Sequence, residues 1–209
     1  MTYQGLSRTY SSEDGLLRWR ANQPLRSLLV TTTGSEPVST DEAKSQLAIA
    51  ASDTNHDTRL ERLITAARQK YENDTQTNLL TATYDDVFDR FYDRMRLTQR
   101  HVTSITSITY YDGSNSSQTL STDVYGFDDS LREIRLDVNQ VWPDTQARWD
   151  AIAVRYVTGY STVPQTAKHA ILLLVAFWFE NSDMIVNQNM VSMAAYDHLV
   201  AVHQRSSYP

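Results

Sequence analysis

Ten consecutive residues, Ala170-Ile-Leu-Leu-Leu-Val-Ala-Phe-Trp-Phe179, carry no charged or hydroxyl group. Pro164 stands before the run and Glu180-Asn181 closes it. It has half of the roughly twenty apolar residues that a membrane-spanning helix needs. A helix without a polar face must be covered on nearly every side. One small domain rarely covers a helix so completely. The cover comes either from the chain's own strands and helices or from a neighbouring subunit, and the run alone leaves both open.

The 209 residues suit one domain with an appended arm. With no Cys in the chain, disulfides, thiolate nucleophiles and Cys-based metal sites are excluded. The N-terminal residues Met1 to Arg8 have no apolar core of the secretory-signal kind. The net charge is −6, and the densest basic stretch, Arg90 to Arg100, is diluted by Asp89 and Asp93. That balance argues against tight binding of DNA through its phosphates. It suits a surface past which DNA slides without sticking. The 12 Tyr residues fit an interface and Tyr-rich strands equally well.

Residues 1–36 read as an arm: polar, punctuated by Gly5, Gly15, Pro24 and Gly34, with short apolar patches at Leu16 to Trp19 and Leu25 to Val30. A disordered terminus and an arm ordered on a neighbour are both open. Trp19, a poor residue to leave exposed, marks the contact in the second case. The first helix is expected over 39–51, opened by the capping box Ser39/Glu42. The second is expected over 57–75 with Asp57 as N-cap. Its apolar residues Leu60, Leu63, Ile64, Ala67 and Tyr71 fall on one stripe. Residues 82–158 read as short strands. They include Thr83 to Phe91, Val102 to Tyr111 ending in the hairpin dipeptide Asp112-Gly113, Thr122 to Phe127, Ile134 to Val138, and Ile152 to Tyr156. Helices are expected again over 164–181, with Pro164 at the first helical position, and over 191–205, leaving a tail at 206–209. Helices and strands are segregated, so the class is α+β: a helical bundle with a small antiparallel β section inserted.

Catalytic chemistry finds little footing. Asp85, Asp86, Asp89 and Asp93 could hold a divalent cation for hydrolysis. They equally make a solvated or charged strand edge that discourages edge-to-edge pairing. His56, His101, His169, His198 and His203 form no H-E-x-x-H pattern, and no G-x-S-x-G elbow or phosphate-binding glycine motif is present. No cofactor and no metal site is expected.

Four segments carry a resemblance. They are Glu36 to Leu47; Asp57 to Thr75, with its Ile-x-Ala-Ala core and late Glu72; Val154-Arg-Tyr-Val-Thr-Gly-Tyr160; and Val163 to Asn181, which contains the apolar run. In this order and spacing, over about residues 36–205, the chain resembles the head–tail connector (adaptor, or head-completion) proteins of tailed bacteriophages. Ser182 stands where that family's aromatic-Glu-Asn ending continues with Arg. The resemblance implies a non-enzymatic virion protein in the head–tail neck, assembled in the host cytoplasm. It implies a homo-oligomeric ring, commonly of twelve copies, beneath the capsid portal. The ring extends the channel for genomic double-stranded DNA and offers a platform to tail, stopper or nozzle proteins, with no membrane partner. The C-terminal helix and tail would dock on the portal, making Tyr196, Leu199, Val200, His203, Arg205 and Tyr208 the candidate partner surface. Ile171, Leu174, Phe177 and Trp178 are the candidates for a core shared between subunits or held within one. A tail-tube or nozzle-side component is the alternative within virions. A metal-dependent hydrolase using Asp85 to Asp93 is the remote one.

Overall fold

A computed structural model describes residues 22–181 and 194–205. Among these the chain runs β1 (Arg26–Thr33), α1 (Thr40–Gln46), α2 (Asp57–Thr75), β2 (Thr81–Phe88), β3 (Arg94–Arg96) and β4 (Val102–Tyr111). It continues through β5 (Ser117–Thr119), a 3-10 turn (Thr122–Val124), β6 (Tyr125–Asp128), β7 (Glu133–Leu136), β8 (Ile152–Thr158), α3 (Gln165–Glu180) and α4 (Ala194–Arg205). Helices flank two antiparallel sheets, so the fold is α+β. The five-stranded sheet has the order β1-β2-β8-β4-β5 and the three-stranded sheet the order β3-β7-β6. Two compact units emerge. One holds the described residues up to Leu29 with Tyr84–Thr98 and Ser104–Tyr156. The other holds Val30–Thr83, Gln99–Thr103 and the described residues from Val157 onward.

The helical unit is built around α3. One face of this helix, Ala167, Ala170, Ile171, Leu174 and Val175, is buried against Leu60, Ile64, Ala67 and Tyr71 of α2, Ala43 of α1, and Tyr196 and Val200 of α4. Each fully buried Ile, Leu or Val side chain contributes about 1.5–3 kcal/mol of apolar transfer. The α2 stripe therefore lies where its period puts it.

Both N-terminal helices differ from expectation at their ends. The α1 capping box forms, with Ser39 N–H donating to Glu42 Oε2 (2.7 Å) and Glu42 N–H to Ser39 Oγ (3.1 Å). Those contacts hold the Glu42 carboxyl below its ordinary pKa, the Ser39 backbone donor being the largest cause. But α1 ends at Gln46, not 51, and Ala48 takes a left-handed φ of 55°. Just before that end the buried Lys44 ammonium meets Ala51 O at 3.3 Å and Asp57 Oδ1 at 2.6 Å, tying the segment after α1 to the start of α2. Asp57 is not the N-cap of α2. His56 holds that position without a side-chain cap bond, and Asp57 is the first helical residue. Pro164 likewise sits one position outside α3, its carbonyl accepting from Ala167 and Lys168.

In the β-rich unit β8 alternates buried and half-exposed residues, with Ile152, Val154 and Tyr156 facing inward. The hairpin β4–β5 pairs Thr109 with Thr119 and Tyr111 with Ser117. Its turn is organised by Asp112, whose carboxylate accepts from the N–H groups of Ser114 (2.9 Å) and Ser116 (3.0 Å). The left-handed residue there is Asn115 (φ 60°), not Gly113.

Four further expectations differ from the structure. Part of the stretch read as an arm is β1, an edge strand. The β2 strand stops at Phe88, and Phe91 stacks instead on Trp142, ring centroids 4.7 Å apart. The stretch 122–127 opens as a 3-10 turn before β6 begins at Tyr125. Val138 lies beyond β7 and is 79% exposed. Strand β3 had no expectation: it is two arginines around one buried Met95, paired with β7 from Arg94↔Arg135 to Arg96↔Glu133.

Candidate assembly surfaces

The α4 stripe proposed for a partner is largely used within the chain. Tyr196 and Val200 are buried in the helical core and Leu199 packs against it. The Tyr196 hydroxyl donates to Asp74 Oδ2 at 2.6 Å, and Lys70 Nζ lies 5.7 Å from its ring centroid. Burial, with Asp74 next to it, pushes the phenol's pKa upward, so the hydroxyl stays protonated and donating. Within the chain, Tyr196 and Val200 are therefore packing residues of the helical core. The outward side of α4 presents Ala194, Ala195, Asp197 and His198. The side chains of His203 and Arg205, and all of Trp19 and Tyr208, lie outside what is described.

The apolar run divides by face. Ile171 and Leu174 are core residues, and Trp178 and Phe179 pack half-buried against the same cluster. Leu173, Ala176 and Phe177 are half-buried. Leu173 and Ala176 fall on the helix face opposite Ile171, with the exposed His169 and Glu180. The end of α3 is fastened by α2. Arg59 Nη2 donates to Phe179 O at 2.9 Å and its guanidinium lies 4.4 Å from the Phe179 ring centroid. His56 meets that ring edge-on, centroids 5.3 Å apart. A cation on a free carbonyl at a helix C-terminus satisfies an orphan acceptor and complements the dipole. Asn181 adds its side-chain amide to Phe177 O at 2.8 Å. The Phe-Glu-Asn ending is thus a capping device.

Two other motif segments also resolve into joints of the helical unit. Glu36 accepts from the Thr65 hydroxyl (2.9 Å) and Arg68 Nε (2.9 Å); Arg68 also binds Glu72, whose other oxygen takes the Leu79 N–H at 2.7 Å. Gly159 has a φ of 120°, and a Cβ there would lie 2.5 Å from Leu80 O, so only glycine fits. Beyond it the Tyr160 ring lies against His101, their hydroxyl and Nε2 in hydrogen-bond contact.

The acidic group does not converge. Asp85 makes a bidentate pair with Arg155, at 2.8 and 2.7 Å. Asp86 is fully buried and takes the Thr98 N–H at 2.7 Å. Burial pushes its carboxyl upward, partly opposed by the Thr98 N–H that it accepts. Asp89 accepts from the Tyr92 hydroxyl at 2.7 Å, and Asp93 is exposed. Among the described residues no group of three or more acidic or His side chains is placed to hold a metal ion. No described helix is long and apolar enough to cross a membrane.

The surface missed by sequence reasoning is in the β-rich unit. Leu25, Leu28 and Leu29 are 60%, 41% and 56% exposed along β1 and its approach. Val141 is 81% exposed and Trp149, under the Arg26 guanidinium at 5.1 Å, is 58% exposed. The signal was present: Leu25 to Val30 is an apolar patch without an inward-outward alternation.

No protein-family model matches this sequence, and no curated protein matches it significantly. The fold does match solved structures. One is a chain from the neck of an empty gene transfer agent particle computed with C6 symmetry. It has a TM-score of 0.65 and 16% identity over 84% of this chain and 95% of the other. A chain of the virion of a native gene transfer agent particle gives 0.64, with the same identity and coverage. A chain of the native particle's neck computed with C12 symmetry gives 0.59 at 16% identity, over 82% and 94%.

Proposed function

We propose that this chain is a structural protein of a phage-like virion neck: a head–tail connector whose copies form a ring beneath the capsid portal. The observation that carries the reading is the likeness of nearly the whole fold to chains from gene transfer agent necks, with 95% of the neighbour's length matched. A ring of twelve, docked on the portal through α4 and the residues after it, would extend the channel for genomic DNA. Its far side would give tail, stopper or nozzle proteins their platform. The net charge of −6 fits a channel wall that repels phosphates instead of gripping them. The role is mechanical and needs no catalytic group. Assembly in the host cytoplasm belongs to the same reading.

Native mass spectrometry of the chain alone and mixed with its portal tests this. A closed oligomer, alone or on the portal, is the expected result. A chain that stays monomeric in both refutes the proposal.

A further inference from the structure

The five-stranded sheet has two dissimilar edges, and among the described residues neither is paired on its outer side along its full length. On one side, Leu25 N–H donates inward to Val87 O at 2.8 Å. Because N–H and C=O groups alternate sides along a strand, Arg26 and Leu28 turn theirs outward, away from β2. From Ser27 to Thr33 the strand has no charge, proline or glycine, and Leu28 and Leu29 expose apolar side chains on opposite faces. Edge strands that stay solvated are ordinarily guarded by charge, proline or a bulge.

On the other side, β5 covers only the end of β4. It pairs from Thr109 to Tyr111, and Leu120 N–H adds one bond to Ile108 O at 2.8 Å. Tyr111 N–H points inward to Ala151 O, so Ser104 and Thr106 turn their backbone groups to the outer edge. No described strand pairs with that edge over Ser104 to Ser107. This segment, too, is uncharged and rich in β-formers, Ser104-Ile-Thr-Ser107.

We infer that the occupant of the β1 edge is a second copy of this chain: β1 of one protomer adds to the outer edge of β4 in the next, beside β5. Among the described residues no strand pairs with either edge segment, so the joint is a backbone ladder capped by Leu28 and Leu29. The two edges differ, so the contact is heterologous and propagates head to tail, the kind of contact that closes a ring. This inference rests on the ring reading above and specifies how the ring is joined.

The absence of native Cys makes crosslinking clean. Leu28→Cys is combined in turn with Ser104→Cys, Ile105→Cys, Thr106→Cys and Ser107→Cys in the full chain, and the oligomer is oxidised mildly. At least one pair is expected to give a covalent ladder beyond the dimer on a non-reducing gel. Leu28→Cys alone should give no efficient crosslink. Leu28→Pro, which removes an outward donor, and Leu28→Lys, which charges the edge, should each weaken subunit association at least tenfold. Circular dichroism checks that either variant keeps its fold. Rings that persist in a folded Leu28 variant, with no ladder from any pair, overturn the inference and leave the ring reading standing. Efficient dimers from Leu28→Cys alone overturn it in favour of β1 pairing with β1. A chain monomeric with and without portal defeats both.

Discussion

Gly159→Ala should be among the most damaging single-atom additions to the helical unit. Gly159 directly follows β8 with its N–H on His101 O at 3.1 Å, and the chain goes on there to Tyr160 and α3. Two costs add. A φ of 120° belongs to glycine, and holding another residue there costs about 1–3 kcal/mol. The new Cβ would also lie 2.5 Å from Leu80 O and 2.9 Å from both Leu80 C and Thr81 Cα. All three are backbone atoms, so no side chain can rotate away, and the start of β2 must shift. Overpacking of that kind costs about 1–3 kcal/mol. The sum is about 2–6 kcal/mol, which at about 2–4 °C per kcal/mol for a chain of this size lowers the Tm by about 4–24 °C. Thermal unfolding followed by circular dichroism measures it. Gly113→Ala is the control: nothing lies within 4 Å of a Cβ there and its φ is not positive. That change should be neutral or stabilise by less than about 1 kcal/mol. If Gly159→Ala falls within about 2 °C of Gly113→Ala, the steric argument is wrong.

The other predictions concern the cap, the core and the buried acid. Arg59→Ala removes both the bond to Phe179 O and the guanidinium from the Phe179 ring; a loss of about 1–2 kcal/mol in urea unfolding is expected. Leu174→Ala should cost about 2–5 kcal/mol because the site is buried within the chain, whereas Leu173→Ala, on the opposite face, should cost under about 1 kcal/mol. Equal losses at the two positions would show that the chain's own elements cover the whole helix. Asp86→Asn should stabilise the protein at neutral pH. Burial raises the folded carboxyl's pKa, so its proton is held more tightly in the folded than in the unfolded state. The stability of the neutral form is complete below the unfolded value of about 3.9 and is lost as pH rises through the folded one. Asparagine keeps an acceptor for the Thr98 N–H and carries no charge. Its Tm advantage should therefore shrink on acidification, and an advantage that grows toward low pH refutes the assignment.

Periodic elements were legible because period is a local property. The α2 stripe, the inward residues of β8 and the Ser39/Glu42 box all follow from spacing within one turn or one strand. The ends of helices were less so. Asp57 looks like an N-cap in every local respect, yet Lys44 takes its carboxylate from thirteen positions earlier in the chain. The bonds of Arg59 to Phe179 and of Arg155 to Asp85 join residues 120 and 70 positions apart, and no window of sequence contains them. Strand β3 was invisible because two arginines flank its single inward Met95. Strand β1 was missed for the opposite reason. Leu28, Leu29 and Val30 are apolar without alternation, a pattern that ordinarily signals a strand buried on both faces. This strand is an edge, and its side chains are exposed.

That mismatch and the apolar run in α3 are the same kind of observation. A helix packed on one face needs apolar residues only along that face, and Ala167, Ala170, Ile171, Leu174 and Val175 supply them. Leu173 and Ala176 add nothing to that packing, as their positions opposite Ile171 dictate. Likewise β1 needs only its inward backbone bonds to join its sheet. In both elements apolar side chains lie beyond the packed core: Leu28 and Leu29 are exposed, and Leu173 and Ala176 are half-buried. At the exposed Leu28 and Leu29, polar residues would cost an isolated protomer little stability. In the ring proposed above, such residues would be covered by a neighbouring copy, and β1 would supply the directional backbone groups that a featureless apolar patch lacks.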